Sequence, residues 1–177
     1  MKDFILVLDA GTSSVKAFII QRDFSIAARC DMDIEFFSPS LNAVEQDADE
    51  IYTKSVRVCS KAMQSAGIDA TDVECIAITA QRGSGIFWDR KTGEPLRKMI
   101  SWMDSRTLPI SEGIEKDGWV PKLENRVMVS NGTLQLKLLS WELRNNPLIN
   151  EKYRQGDLMF GGVDTWLIYK LTKGKSY

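Results

Sequence analysis

Three short polar runs stand directly after apolar segments, where side chains and backbone amides can meet a ligand. The first is Asp9-Ala10-Gly11-Thr12-Ser13-Ser14. An acid at the end of a buried strand is held in one place and can face a magnesium ion, directly or through water. Gly11 lets the backbone approach a phosphate closely, while Thr12, Ser13 and Ser14 offer hydroxyls and amides as donors. This is not the glycine-rich phosphate loop that ends in Gly-Lys-Ser or Gly-Lys-Thr and opens a helix, because a strand follows here. The same composition also suits a plain polar hairpin turn. The second run is Gln81-Arg82-Gly83-Ser84-Gly85, after the apolar segment Val73–Thr79. Ligands of open α/β sheets bind just past strand ends, and the Arg82 guanidinium could donate to a hydroxyl or phosphate oxygen in a fixed fork. A surface arginine beside a glycine turn fits the same residues. The third is Trp102-Met103-Asp104-Ser105-Arg106. An indole beside a carboxylate and a guanidinium could cover the C–H face of a sugar while the charges bond its hydroxyls. Asp104 could equally be the N-cap of a helix start.

The composition removes other chemistries. There is no histidine among the 177 residues, which excludes Ser-His and Cys-His nucleophiles, zinc held by a His-Glu-x-x-His helix, and any histidine base. Three cysteines, Cys30, Cys59 and Cys75, lack metal-ligand spacing and are expected to be reduced thiols with packing roles in a cytoplasmic protein. A net charge of −1 gives no field for nucleic acid or an anionic membrane. Apolar runs such as Phe4–Leu8 are too short to span a bilayer, and Met1-Lys2-Asp3 is unlike a signal peptide. With 44% hydrophobic and 27% charged residues, the chain has the usage of a globular domain, long enough for one core.

The elements that must position these residues follow from periodicity. Phe4–Asp9 and Val15–Ile20 are β-rich and flank the Gly11–Ser14 turn as a hairpin; Ile26–Phe37 supplies a longer third strand. Ala48, Ile51, Tyr52, Ser55, Cys59, Ala62, Met63 and Ala66 recur on one helical face, with Asp47 and Glu50 as a start signal and Gly67 as a stop. Val73–Thr79 and Gly83–Trp88 read as strands. After Asp104 the pattern is helical but ragged, interrupted at Pro109 and Gly113. A helix from about Thr133 to Asn145 ends at Asn146-Pro147. Leu158–Phe160 is a short strand and Val163–Leu171 a last helix. Hairpin strands followed by alternating strands and helices make a mixed α/β sheet that opens with an antiparallel meander and carries helices on its faces.

Taken together, five segments resemble the N-terminal domain of the FGGY carbohydrate kinases. They are Leu8–Ser14, Val44-Glu45-Gln46-Asp47, Ile78–Arg82, Ile100–Arg106 and Gly162–Leu167, in the family's order and at its separations. The resemblance implies an actin-like ATPase, ribonuclease H-like domain, and a protein that phosphorylates a sugar or polyol hydroxyl with ATP and magnesium. Carried over, Asp9 lies near the magnesium, through water, and Gly11, Thr12, Ser13 and Ser14 near the transferred phosphate. Gln81, Arg82, Trp102 and Asp104 line the sugar pocket. The family's catalytic base is an aspartate beyond the position of Tyr177. Residues 1–177 are therefore expected to be part of the N-terminal domain, with the rest of it and the C-terminal ATP-binding domain absent and the chain inactive alone. A bare sheet surface would then favour self-association, with a homodimer as the form to look for.

Some positions depart from the pattern. Glycerol kinases of the family have Glu where Gly83 stands, and Trp and Pro where Ala43 and Ala48 stand. Ketose and gluconate kinases share an Asp after the tryptophan but often have His at the position of Arg82. The substrate is thus left open. A non-catalytic sugar-sensing or scaffold module of the same fold is the main alternative. Other actin-like ATPases lack the Trp102–Arg106 element, and a plain interaction domain would need every motif to be coincidence.

Overall fold

The structure is a computed structural model that describes residues 3–110 and 129–177, with side chains from 135 onward in the second stretch. The ragged segment around Gly113 lies outside the described residues. Length alone leads one to expect a single core, yet the chain divides into two compact units.

The first unit comprises Met1–Glu35 and Asp49–Gln81. Strands β1 (Phe4–Ala10), β2 (Ser14–Gln21) and β3 (Ile26–Asp33) form the expected antiparallel meander. The third strand is shorter than Ile26–Phe37; Phe37 instead makes an isolated bridge to Glu45. Helix α1 (Ala48–Ala66) leads to β5 (Val73–Ala80), which pairs parallel with β1. The sheet order is β3-β2-β1-β5, so the sheet is mixed, as the sequence pattern requires. Alternation places Leu6, Leu8 and Ala10 of β1 and Val15, Ala17 and Ile19 of β2 in the interior. In α1 the spacing of Ile51, Val58 and Ala62 puts three fully buried residues on one stripe. Burying each of the Leu, Val and Ile side chains among these contributes about 1.5–3 kcal/mol.

The second unit comprises Phe36–Ala48 and Arg82–Tyr177. Two small antiparallel pairs run through it: β4 (Glu45–Gln46) with β7 (Met99–Ile100), and β6 (Ile86–Asp89) with β8 (Leu158–Gly161). Helices α2 (Val129–Asn145), α3 (Pro147–Gln155) and α4 (Val163–Leu171) complete it. Phe87, Ile100, Leu138 and Ile149 form its core, with Leu96, Leu143 and Phe160 packed around them. Trp88 meets Trp166 edge-on, with centroids 5.3 Å apart, and the Trp166 indole N–H donates to the Ala48 carbonyl at 2.9 Å.

Asn146-Pro147 does end α2, but it also opens α3. Asn146 is the N-cap, its side chain accepting from the Ile149 amide at 3.4 Å, and Pro147 occupies the first turn where its missing N–H costs nothing. Of the three cysteines, Cys30 and Cys59 are partly buried, but Cys75 is exposed on β5. Glu74, Cys75, Ile76 and Ala77 are exposed in succession on that strand, so its apolar pattern did not mean burial for every member.

Candidate functional site

In the first unit the Asp9–Ser14 run is the turn of the β1–β2 hairpin. Ala10 pairs with Val15, which leaves Gly11 to Ser14 as the loop. A Cβ on Gly11 would stand 3.2 Å from the Ser14 carbonyl, so this position favours glycine. The Ser13 carbonyl accepts from the Ile34 amide at 2.9 Å, which ties the turn to the chain after β3. Ser14 is buried. Gln81 is brought onto the same turn: its amide N–H donates to the Ala10 carbonyl at 2.9 Å and its side chain to the Gly11 carbonyl at 3.4 Å. Asp9, Gly11, Thr12, Ser13, Ser14 and Gln81 therefore share one strand-end cluster.

Lys16 is a member that the sequence motifs did not mark. It is the cross-strand partner of Asp9, and its ammonium lies 3.9 Å from the Asp9 carboxylate. Both side chains are about one-third exposed, 34% and 35%, so the pair stays accessible to a charged ligand. Counting residues through the hairpin would have found it, since a four-residue loop closed by Ala10 and Val15 sets 9 opposite 16.

Magnesium is tested by the donor set. Among the described residues no group of three or more His, Cys, Asp or Glu could hold a metal. Asp9 gives one carboxylate beside hydroxyls. That set is too poor for a resident metal but fits magnesium, which keeps several waters and is bound by one or two carboxylates together with phosphates.

In the second unit, Arg82 is exposed and Trp102 is 48% exposed. The backbone at Gly83 has φ 78°, a left-handed conformation that glycine adopts without strain. Glycine at this position thus has a backbone reason. Ser84 is fully buried, and its hydroxyl accepts from the Trp102 amide at 3.1 Å. Gly85 and Ile100 exchange backbone hydrogen bonds of 2.9 and 3.0 Å, so the 82–85 and 100–102 segments are laced together.

Asp104 is placed differently from an exposed sugar ligand. Its side chain is completely buried. The Arg106 guanidinium donates to both its oxygens, at 2.7–3.0 Å, and the Val44 amide donates to it at 2.9 Å. Arg106 also pairs with Glu45 at 2.7 Å. Glu45 in turn accepts from Arg97, which reaches Glu142 on α2, and Asn146 donates to Glu142 at 2.9 Å. The result is a part-buried chain of alternating charges, Asp104–Arg106–Glu45–Arg97–Glu142. Burial opposes charge on Arg106, but its carboxylate partners outweigh that and hold the guanidinium above its ordinary value. Glu45 was visible in the sequence as part of Val44–Asp47; Arg97 and Glu142 were not, because only the fold brings residues 45 and 52 positions apart in sequence to one another.

These features define an α/β domain of the actin-like ATPase fold. The sequence profile of the FGGY family of carbohydrate kinases, N-terminal domain, matches residues 4–177, and the chain belongs to that family. It is similar to a glycerol kinase of Bradyrhizobium diazoefficiens, 35% identical over 173 residues, covering 97% of this chain and 35% of that protein. A glycerol kinase of Thermoanaerobacter pseudethanolicus is 34% identical over 176 residues, again covering 35% of that protein. The chain thus spans about a third of the length of the curated relatives it matches. Among solved structures, the Plasmodium falciparum glycerol kinase with ADP superposes with a TM-score of 0.78 at 27% identity, over 98% of this chain and 35% of that one. The gluconate kinase of Lactobacillus acidophilus gives the same TM-score of 0.78 at 18% identity, over 94% of this chain and 32% of that one, and shares the fold. Among the described residues no helix is long and apolar enough to cross a membrane.

Proposed function

We propose that this chain is the phosphate- and sugar-facing part of a cytoplasmic kinase that transfers a phosphoryl group from ATP to a hydroxyl of a sugar or polyol. The observation that carries the reading is the strand-end cluster of Asp9, the Gly11–Ser14 turn, Gln81 and Lys16. Phosphoryl transfer asks the protein mainly for positioning and charge stabilisation. A turn of small hydroxyl residues, next to one carboxylate and one ammonium, supplies both. Magnesium carried with ATP would neutralise charge on the phosphates. Asp9 would hold it through water, the turn would bond phosphate oxygens, and Lys16 would add a positive point charge.

The sugar side is assigned to Gln81, Arg82 and Trp102, with the half-exposed indole covering C–H faces and Arg82 donating to hydroxyls. Asp104 serves this side by fixing the backbone that carries Trp102. Relatives and structural neighbours include glycerol, gluconate and xylulose kinases, which makes polyols, sugar acids and ketoses the candidate substrates. The hydroxyl must give its proton to a base. The reading assigns that base to the region beyond Tyr177 in family members, so the 177 residues alone bind without turning over.

A thermal-shift screen against polyols, ketoses and sugar acids, with and without magnesium-ATP, tests it. A stabilising ligand whose effect is lost in Arg82→Ala or Trp102→Ala supports the assignment and names the substrate class. No shift with any member of the panel counts against binding by this chain. ADP formation by the isolated 177 residues with any sugar would refute the inactivity.

A further inference from the structure

We propose that Lys54 of α1 is a positioning residue for phosphate binding, its ammonium fixing the one peptide unit that braces the Gly11–Ser14 turn. The proposal rests on the phosphate reading of that turn. Strand β3 ends at Asp33, which is paired with Ser14. The chain then leaves the sheet, and the peptide unit between Asp33 and Ile34 is held at both ends. Its N–H, that of Ile34, donates to the Ser13 carbonyl at 2.9 Å. Its C=O, that of Asp33, accepts from the Lys54 ammonium at 2.8 Å. The Ser13 carbonyl belongs in turn to the peptide whose amide is that of Ser14. The unit that Lys54 orients is therefore bonded directly to the backbone of the turn.

Lys54 is itself held in place. It follows Glu50 by one helical turn, and the two pair at i,i+4 with 29% and 18% of their side chains exposed. The Glu50 carboxylate also accepts from the Glu35 amide at 3.4 Å, so both members of the pair reach the same stretch of chain, 33–35. Ile51 and Val58 on the helix and Ile34 on that stretch are buried, which anchors the two pieces that the bonds join. An exposed lysine pairing freely would contribute little, but one already ordered by its helix partner loses less rotamer freedom on making a further bond. A cation on a carbonyl oxygen also polarises the peptide and strengthens the donor at its other end. Lys54 thus acts on Ser13 through a single peptide unit. Phosphate binding asks such a turn to keep its backbone and hydroxyls in one arrangement, and this brace limits the alternatives.

Site-resolved amide exchange by NMR and calorimetric titration with magnesium-ATP, both on the 177-residue chain, test this. Lys54→Met keeps the aliphatic stem and removes the donor; Lys54→Arg keeps a donor and the charge. In Lys54→Met the Ile34 amide should exchange about tenfold faster and its proton should move upfield, while the amides of Leu6, Leu8 and Val58 keep their rates. The pair is partly solvated, so the melting temperature should stay within a few degrees. Affinity for magnesium-ATP should fall about fivefold or more. Lys54→Arg should restore both the exchange rate and the affinity. An Ile34 amide that stays protected in Lys54→Met overturns the brace. So does exchange that rises evenly across the hairpin, which marks a general loss of stability, or a Lys54→Arg chain that behaves like Lys54→Met. Faster Ile34 exchange with unchanged affinity overturns the positioning role. An unsubstituted chain that does not bind magnesium-ATP refutes the phosphate reading and the positioning role with it, and Ile34 exchange then decides separately whether the brace exists.

Discussion

Cys59 and Cys75 show how far one residue type can differ within one chain. Burial, with a smaller contribution from Cys30, pushes the Cys59 thiol up from 9.0 to about 11. Cys75 is exposed on β5. Because the thiolate is the nucleophile, Cys59 is almost wholly in its inert form at neutral pH. In native protein at pH 7–8 an aromatic disulfide reagent should therefore modify Cys75 first and Cys59 last. Cys75→Ser should delete the fast phase, and a fast phase that persists in that variant would contradict the exposures described. Asp104 teaches the same lesson among the acids. Its motif looks like a ligand set, yet its oxygens are taken up by Arg106 and the Val44 amide. At this loop the Trp102 side chain is half exposed, while the Asp104 carboxylate is engaged by its own chain.

Elements were legible where a local pattern suffices. The stripe of α1 and the alternation of β1 and β2 specify their buried faces without reference to anything distant, and α4 begins and ends where its residues say. Helix α3 was not legible, because Asn146-Pro147 reads as a stop and serves as both stop and start. The pairing of β6 with β8 was not either, since Phe87 meets Phe160 only through the fold, with ring centroids 4.7 Å apart. The candidate site divides the same way. The hairpin turn and Gln81 could be read from composition next to strand ends, while Lys16 needed the register and the Arg97–Glu142 pair needed tertiary structure. The α1 stripe gives a direct test. Ile51 is fully buried, so Ile51→Asp forces an unpaired carboxyl into an apolar interior and should cost on the order of 4 kcal/mol. Denaturant melts should show the midpoint fall steeply, and an unchanged midpoint would sink the placement of this helix face.

At the scale of the whole molecule, a net charge of −1 conceals many paired charges. The second unit keeps Asp104, Arg106, Glu45, Arg97 and Glu142 in one part-buried chain, so removing Arg106 or Arg97 takes a charged partner from two carboxylates at once. A separate pair sets a measurable pH dependence. Asp89 closes the Lys91-Thr92-Gly93 turn through its carboxylate and lies 2.6 Å from the Lys152 ammonium on α3. The Lys152 hydrogen bond comes first, then the Thr92 and Lys91 amides, and together they outweigh burial and bring the carboxyl from 3.8 down to about 2. Lys152 is correspondingly raised above its ordinary value. For an acid depressed in the folded state, the folded protein binds fewer protons than the unfolded chain between the two values. Asp89 therefore contributes its full stabilisation above about pH 4 and loses it as pH falls towards 2. Melting temperatures measured from pH 5 to pH 2 should fall less steeply in Asp89→Asn than in the unsubstituted chain, from a lower starting value at pH 5. Parallel curves would mean that the acid sensitivity of this chain resides in other carboxylates and that the Asp89–Lys152 pair is broken in solution.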